Sequence, residues 1–216
     1  MSILKGYTKQ EISWMMYDWA NSAHSVIIVT ILPIFFDSVA GQTADSVSSM
    51  STWGYATSIA MAIVALSAPF LGVFGDIRGM RKKLFAFFVG LGVLAVAGLA
   101  FTPMMDFTSS TDAAGRVAMF VLVLYILSTI GFDASCIYYD AFLTDITTED
   151  RMDRVSTLGY GLGYIGGSTI PLVVFLVMNL VGVDMLVCLA FIFAFTAVWW
   201  LVFSLPLLKN CQQKGG

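Results

Sequence analysis

Charge is the scarcest ingredient of this chain. Only 12% of its 216 residues are Asp, Glu, Lys or Arg, about half the usual share of a soluble domain, and 58% are hydrophobic. That excludes a soluble globular fold and any basic nucleic-acid-binding surface. Cysteine is sparse: Cys136, Cys188 and Cys211 stand apart, without paired or metal-ligand spacing, and the first two lie in apolar runs as packing residues. A single histidine, His24, rules out a His-Glu-x-x-His site, and Gly-x-Ser-x-Gly, an aspartyl-protease pair and a nucleotide loop are missing too. The reading is therefore not an enzyme, with no metal and no cofactor.

Long apolar runs are what the chain does contain. Six fall at about Ile12–Phe36, Trp53–Phe74, Leu84–Phe101, Val117–Tyr139, Leu158–Val181 and Met185–Leu208. Each approaches or exceeds the roughly 20 residues a membrane helix needs, and none shows the two-residue alternation of a barrel strand. The expected fold is all-α and polytopic, with six transmembrane helices. Residues 1–11 form a cytoplasmic N-terminus, 12–208 a single bundle and 209–216 a cytoplasmic tail. The first run is too long for a signal-peptide core and has no small-residue cleavage site, so it is a retained span. Pro33, Pro69 and Pro171 are expected to kink their helices. Small residues in the third run, Gly90, Gly92 and Gly98 among them, suit close helix approach.

Lys and Arg set the orientation. With the N-terminus inside, Lys5, Lys9, Arg78, Arg81, Lys82, Lys83, Arg151, Arg154, Lys209 and Lys214 are cytoplasmic and Arg116 alone is outside. The outer connections carry Asp37, Asp45, Asp106, Asp112 and Asp184. The protein is expected in an inner or plasma membrane with both termini cytoplasmic.

The chemistry concentrates in Tyr17-Asp18-Trp19-Ala20-Asn21-Ser22-Ala23-His24-Ser25. A carboxylate inside a membrane helix costs roughly 2.5–3.5 kcal/mol on insertion scales. Asp18, Asn21, Ser22 and Ser25 recur at i, i+3, i+4 and i+7, one helix face. The face is either a pathway lining or a polar contact between helices. Asp133 in the fourth run is a second intramembrane acid, and neither acid has a Lys or Arg nearby in sequence. Such an acid is a natural proton carrier, or a counter-charge for a cationic solute. His24 is a further titratable candidate or a helix-contact residue. Tyr17, Trp19, Tyr160 and Tyr164 are expected to line the same path. Trp14, Trp53, Trp199 and Trp200 are read as an interfacial belt.

After the second run the chain reads Gly72-x-x-Gly75-Asp76-x-x-Gly79-x-Arg81-Lys82-Lys83. Gly79 permits a tight reversal, Asp76 can accept from Arg or helix amides, and the basic cluster suits anionic lipid. This loop resembles the signature of the major facilitator superfamily. The Tyr-Asp-Trp-Ala-Asn-Ser-Ala stretch, the segment Tyr138–Ile146 and the segment Arg154–Gly167 resemble, in order, the motifs of its vacuole-effluxer branch. Asp140 replaces the branch's usual Asn, Thr144 its Pro, and His24 stands where an apolar or aromatic residue is usual.

The resemblance implies half of a major-facilitator fold, built as two three-helix repeats. It implies Asp140 and Asp145 as partners for Arg81 in the loop network, and small-solute efflux by symport or antiport. The superfamily usually has twelve spans, so this chain matches a first half, read as a natural half or else a truncation. The resulting expectation is a half-size secondary transporter subunit. It would form a homodimer, or a heterodimer with a second six-helix half, to move a small polar solute such as an amino acid or related metabolite, coupled to protons. The partner contact is expected to set Gly72, Gly75 and Asp76 against the partner's counterpart of Gly159, Gly163, Gly166 and Gly167. The alternative is a non-transporting scaffold or regulatory subunit that retains the fold.

Overall fold

The computed structural model describes residues 4–43 and 46–214; Asp45 of the first outer connection lies outside them. Among the described residues there are eight α-helices and no strand. They are α1 (Lys9–Thr30), α2 (Leu32–Ala40), α3 (Ser46–Asp76), α4 (Met80–Leu99), α5 (Thr111–Ile146), α6 (Glu149–Leu162), α7 (Thr169–Leu180) and α8 (Met185–Asn210). A π-helical stretch, Gly163–Ser168, joins α6 to α7. Together they make six spans of membrane length: Lys9–Ala40, Val47–Asp76, Met80–Met104, Thr111–Ile146, Glu149–Leu180 and Met185–Asn210. The protein is an all-α polytopic fold. Its helices overrun the apolar sequence runs at most ends, because capped polar turns extend beyond the membrane-length core.

Local chemistry explains the boundaries. Thr8 and Glu11 form a capping box at the start of α1, with the Glu11 amide donating to Thr8 Oγ1 at 3.1 Å and the Thr8 amide donating to Glu11 Oε2 at 2.7 Å. Pro33 sits in the first turn of α2, so the first span is two helices broken at Ile31. Ser110 caps α5 through the Ala113 amide at 3.1 Å, and Asp184 caps α8 through Leu186 at 2.9 Å. Gly79, at φ 77°, makes the reversal between α3 and α4. Pro69 and Pro206 lie inside α3 and α8.

The first and fourth spans are the centre of the bundle, each 56% buried over its most apolar window, against 11% for the second span. α1 packs on α5, α6, α8 and the π-helical stretch, and α4 packs on α5 and α8. Gly131 of α5 abuts the backbone of α4 at Gly92 and Phe88, where a β-carbon would sit 2.6 Å from the Gly92 nitrogen. Gly92 of the third run thus meets a small residue of the fourth, whereas Gly98 meets Leu124 and Gly90 faces open space.

Two of the four tryptophans read as belt residues are core residues instead. Trp14 and Trp200 are fully buried. Trp14 stacks on Tyr139, centroids 4.2 Å apart, and its indole N–H donates to the Tyr139 carbonyl at 2.8 Å. Trp200 fills the socket left by Gly92. Trp199 donates to the Trp19 carbonyl at 3.0 Å, pinning α8 to α1, and Trp53 stacks on Tyr125 at 4.1 Å. In each case a facing glycine or aromatic ring makes room that a reading of single runs does not reveal.

Candidate functional site

The polar face of α1 lines a cavity of about 250 Å³. Asp18, Asn21, Ser22 and Ser25 form one wall, Phe132, Cys136, Tyr139 and Asp140 of α5 a second, and Tyr160, Tyr164 and Ser168 of the fifth span a third. The helical period fixes the first wall. The fifth span closes on it because its facing residues are glycines: a β-carbon on Gly163 would collide with the Asp18 carboxylate, and one on Gly167 would lie 2.9 Å from Ser22 Cβ. These glycines fall in the π-helical stretch, an irregularity frequent at functional sites.

Few polar contacts cross the cavity. Asn21 Nδ2 approaches Cys136 Sγ at 3.8 Å, Ser168 donates to the Ser22 carbonyl at 3.4 Å, and Tyr160 donates to Asp140 at 3.5 Å. No Lys or Arg lines it. Among the described residues Asp18 has no ion-pair partner. The site is an acidic, aromatic-edged pocket with two carboxylates and no counter-charge.

His24 and Asp133 do not join this group. They line a second cavity of about 340 Å³, with Ile28, Val29, Trp53, Thr57, Met61, Tyr125 and Thr129, and it shares Ser25 and Phe132 with the first. His24 is buried, stacked on Phe132 at 4.7 Å, and neither ring nitrogen has a hydrogen-bond partner; nor does Asp133 Oδ2.

Tyr17 lines neither cavity. One residue from Asp18 is a rotation of about 100°, which turns Tyr17 into the core. There its hydroxyl bonds Ser135 at 2.6 Å and its ring meets Phe85 at 4.7 Å. Trp19 likewise turns away, onto Gly166 and Trp199.

The loop motif forms a compact network. Arg81, buried, donates to Asp145, to Asp76 at 3.1 Å and to the Ala141 carbonyl at 3.0 Å. Asp140 is not part of it. Five residues before Asp145 on α5, it points into the Asp18 cavity instead. Gly75 makes room for the Tyr138 ring, 2.8 Å from a β-carbon placed there, whereas Gly72 faces open space. Lys82 donates to the Cys211 carbonyl at 3.2 Å.

Gln213 was not singled out from the sequence, where a polar tail has no periodicity to read. Its side chain accepts from the Gly79 amide at 2.9 Å and donates to the Gly75 carbonyl at 3.1 Å. The Lys214 amide donates to Asp145 at 3.2 Å. Glu11 is a second such case. It receives Arg151 at 2.8 Å and 2.9 Å and Thr147 at 2.7 Å, tying the start of the first span to the turn between the fourth and fifth.

The glycine face of the fifth span also departs from expectation. Gly159 meets Trp14, Gly163 meets Asp18, and Gly166 and Gly167 meet Trp19, all on α1 of the same chain. This face is consumed inside the bundle and is not free for a partner.

Six membrane-length helices around an acidic cleft define a polytopic, all-α membrane protein. Residues 44–152 match the family described as "Vacuole effluxer Atg22 like". The chain is 38% identical over 220 residues to the "Uncharacterized MFS-type transporter YxiO" of Bacillus subtilis (strain 168), an alignment covering 98% of this chain and 49% of that relative. The chain thus spans about half the length of the relative it matches. No solved structure matches. The chain belongs to the vacuole effluxer Atg22-like family of MFS-type transporters.

Proposed function

We propose that this chain is one six-helix half of a secondary active transporter that carries a small polar solute with proton coupling. The observation that carries the reading is Asp18, a carboxylate without a cation, set in a cavity walled by three spans. An acid so placed can hold a proton on one side of the membrane and release it on the other. Asn21, Ser22, Ser25, Tyr160 and Tyr164 supply hydrogen-bonding and aromatic edges for a solute.

A second six-helix half, a copy or a different chain, completes the path between the bundles. The doubled length of the relative supports this. The second span, only 11% buried over its most apolar window, is the least engaged within the bundle and has the most surface left for such a partner. With the glycine face of the fifth span engaged at home, the contact falls on this span. Both termini are cytoplasmic in this reading, supported by the ten-to-one placement of Lys and Arg.

The test uses proteoliposomes carrying a trapped pH-sensitive dye, challenged with a panel of amino acids and small amines across an imposed pH gradient. Solute-dependent proton movement is expected, and Asp18→Asn should abolish it while expression and melting temperature hold. Proton movement unchanged in Asp18→Asn would overturn the role of Asp18, and none with any solute would overturn proton-coupled transport of this class.

A further inference from the structure

Beyond the Asp18 cleft, the second chamber has a chemistry of its own. Asp133 has a buried carboxylate oxygen with no hydrogen-bond partner, and no Lys or Arg lines the space around it. The same space is lined by the stacked rings of Trp53 and Tyr125, their centroids 4.1 Å apart, and by Phe132, which also lines the first cavity. His24 is 3% exposed, lines the same space and leaves both ring nitrogens unpartnered. Buried polar atoms of this kind are uncommon in folded proteins and call for a partner.

We infer that this chamber binds the ammonium group of an organic amine. The carboxylate supplies the counter-charge, and the aromatic lining of Trp53, Tyr125 and Phe132 gives the carbon beside the ammonium an apolar, polarisable wall. Ile28, Val29 and Met61 give its carbon skeleton an apolar bed. His24 in its neutral form offers one donor and one acceptor, suited to a hydroxyl on the solute. About 340 Å³ matches a small-molecule site. A solute carboxylate finds no Lys or Arg in either chamber, so amines that lack one are preferred over zwitterions. The inference rests on the transporter reading and deepens it by naming the solute class.

The test is calorimetric titration of the full chain in lipid nanodiscs with three matched probes: 2-phenylethylamine, 2-phenylethanol and phenylalanine. The amine should bind about tenfold more tightly than either of the others. Asp133→Asn should erase that preference and Asp133→Glu partly restore it. Trp53→Leu should weaken the amine severalfold, and Gly161→Ala, outside both chambers, should leave its binding within about twofold. Equal binding of the three probes, no binding at all, or a preference for the amine that survives Asp133→Asn would overturn the inference. Because the readout is binding and not flux, its failure with Asp18-dependent proton movement intact removes the amine site alone. The reverse result removes proton coupling and leaves the site.

Discussion

Gly163 lies so close to the Asp18 carboxylate that no methyl group fits between them. The approach joins the first and fifth spans at the centre of the cleft, and it makes a glycine in one span a condition for an acid in another.

Gly163→Ala is therefore expected to push the fifth span off α1. Overpacking of this kind costs about 1–3 kcal/mol and displaces the carboxylate, so melting temperature and Asp18-dependent proton movement should fall together. Gly161, two residues earlier on α6, faces open space. Gly161→Ala should change stability by no more than about 1 kcal/mol, in the stabilising direction. Thermal unfolding in detergent compares the two; equal destabilisation would contradict the packing described.

The Arg81 network predicts an asymmetry between its two acids. Asp145 and Arg81 are each about 10% exposed at the side chain, whereas Asp76 is 79% exposed. Asp145→Asn leaves a buried guanidinium short of its charge partner and should cost about 3–5 kcal/mol. Asp76→Asn removes a solvated partner and should cost less than about 1 kcal/mol. Melting temperatures of the two variants, measured side by side, check the order; a larger loss for Asp76→Asn would reverse the assignment of the pair.

Cys211 follows α8 and is buried, its thiol donating to the Gln10 carbonyl of α1 at 3.6 Å. Burial pushes its thiol up to about 12, with Lys82 pulling weakly the other way. At pH 8 almost none is thiolate, the reactive form. Maleimide labelling of the folded protein, followed at Cys211 by peptide mass spectrometry, should run at least about a hundredfold slower than for an unperturbed thiol. Unfolding in denaturant should restore the ordinary rate. Fast labelling without denaturant would mean that the end of α8 is not packed against the start of α1.

Six spans and one polar face were legible in the sequence because both depend on chain-local quantities. Hydropathy summed over a run marks a membrane helix, and the helical period alone puts Asp18, Asn21, Ser22 and Ser25 together. What faces what was not legible. The glycines of the fifth span announce a close approach without naming its partner, and the partner is α1 of the same chain. Trp14 and Trp200 resemble belt residues until Gly159 and Gly92, far away in sequence, are seen to provide their sockets. Tyr17 and Asp140 were misplaced for an angular reason. One residue from Asp18, and five from Asp145, are rotations large enough to change the side of a helix. The division of the acids between two chambers depends on Phe132 and Ser25 standing where the chambers meet, a property of α1 and α5 together.

The tail bonds offer a practical handle. Gln213 clasps the hairpin bend at Gly75 and Gly79 while the Lys214 amide rests on Asp145. A fluorophore conjugated at Lys214 would sit beside the bend between α3 and α4, away from the residues that line either chamber.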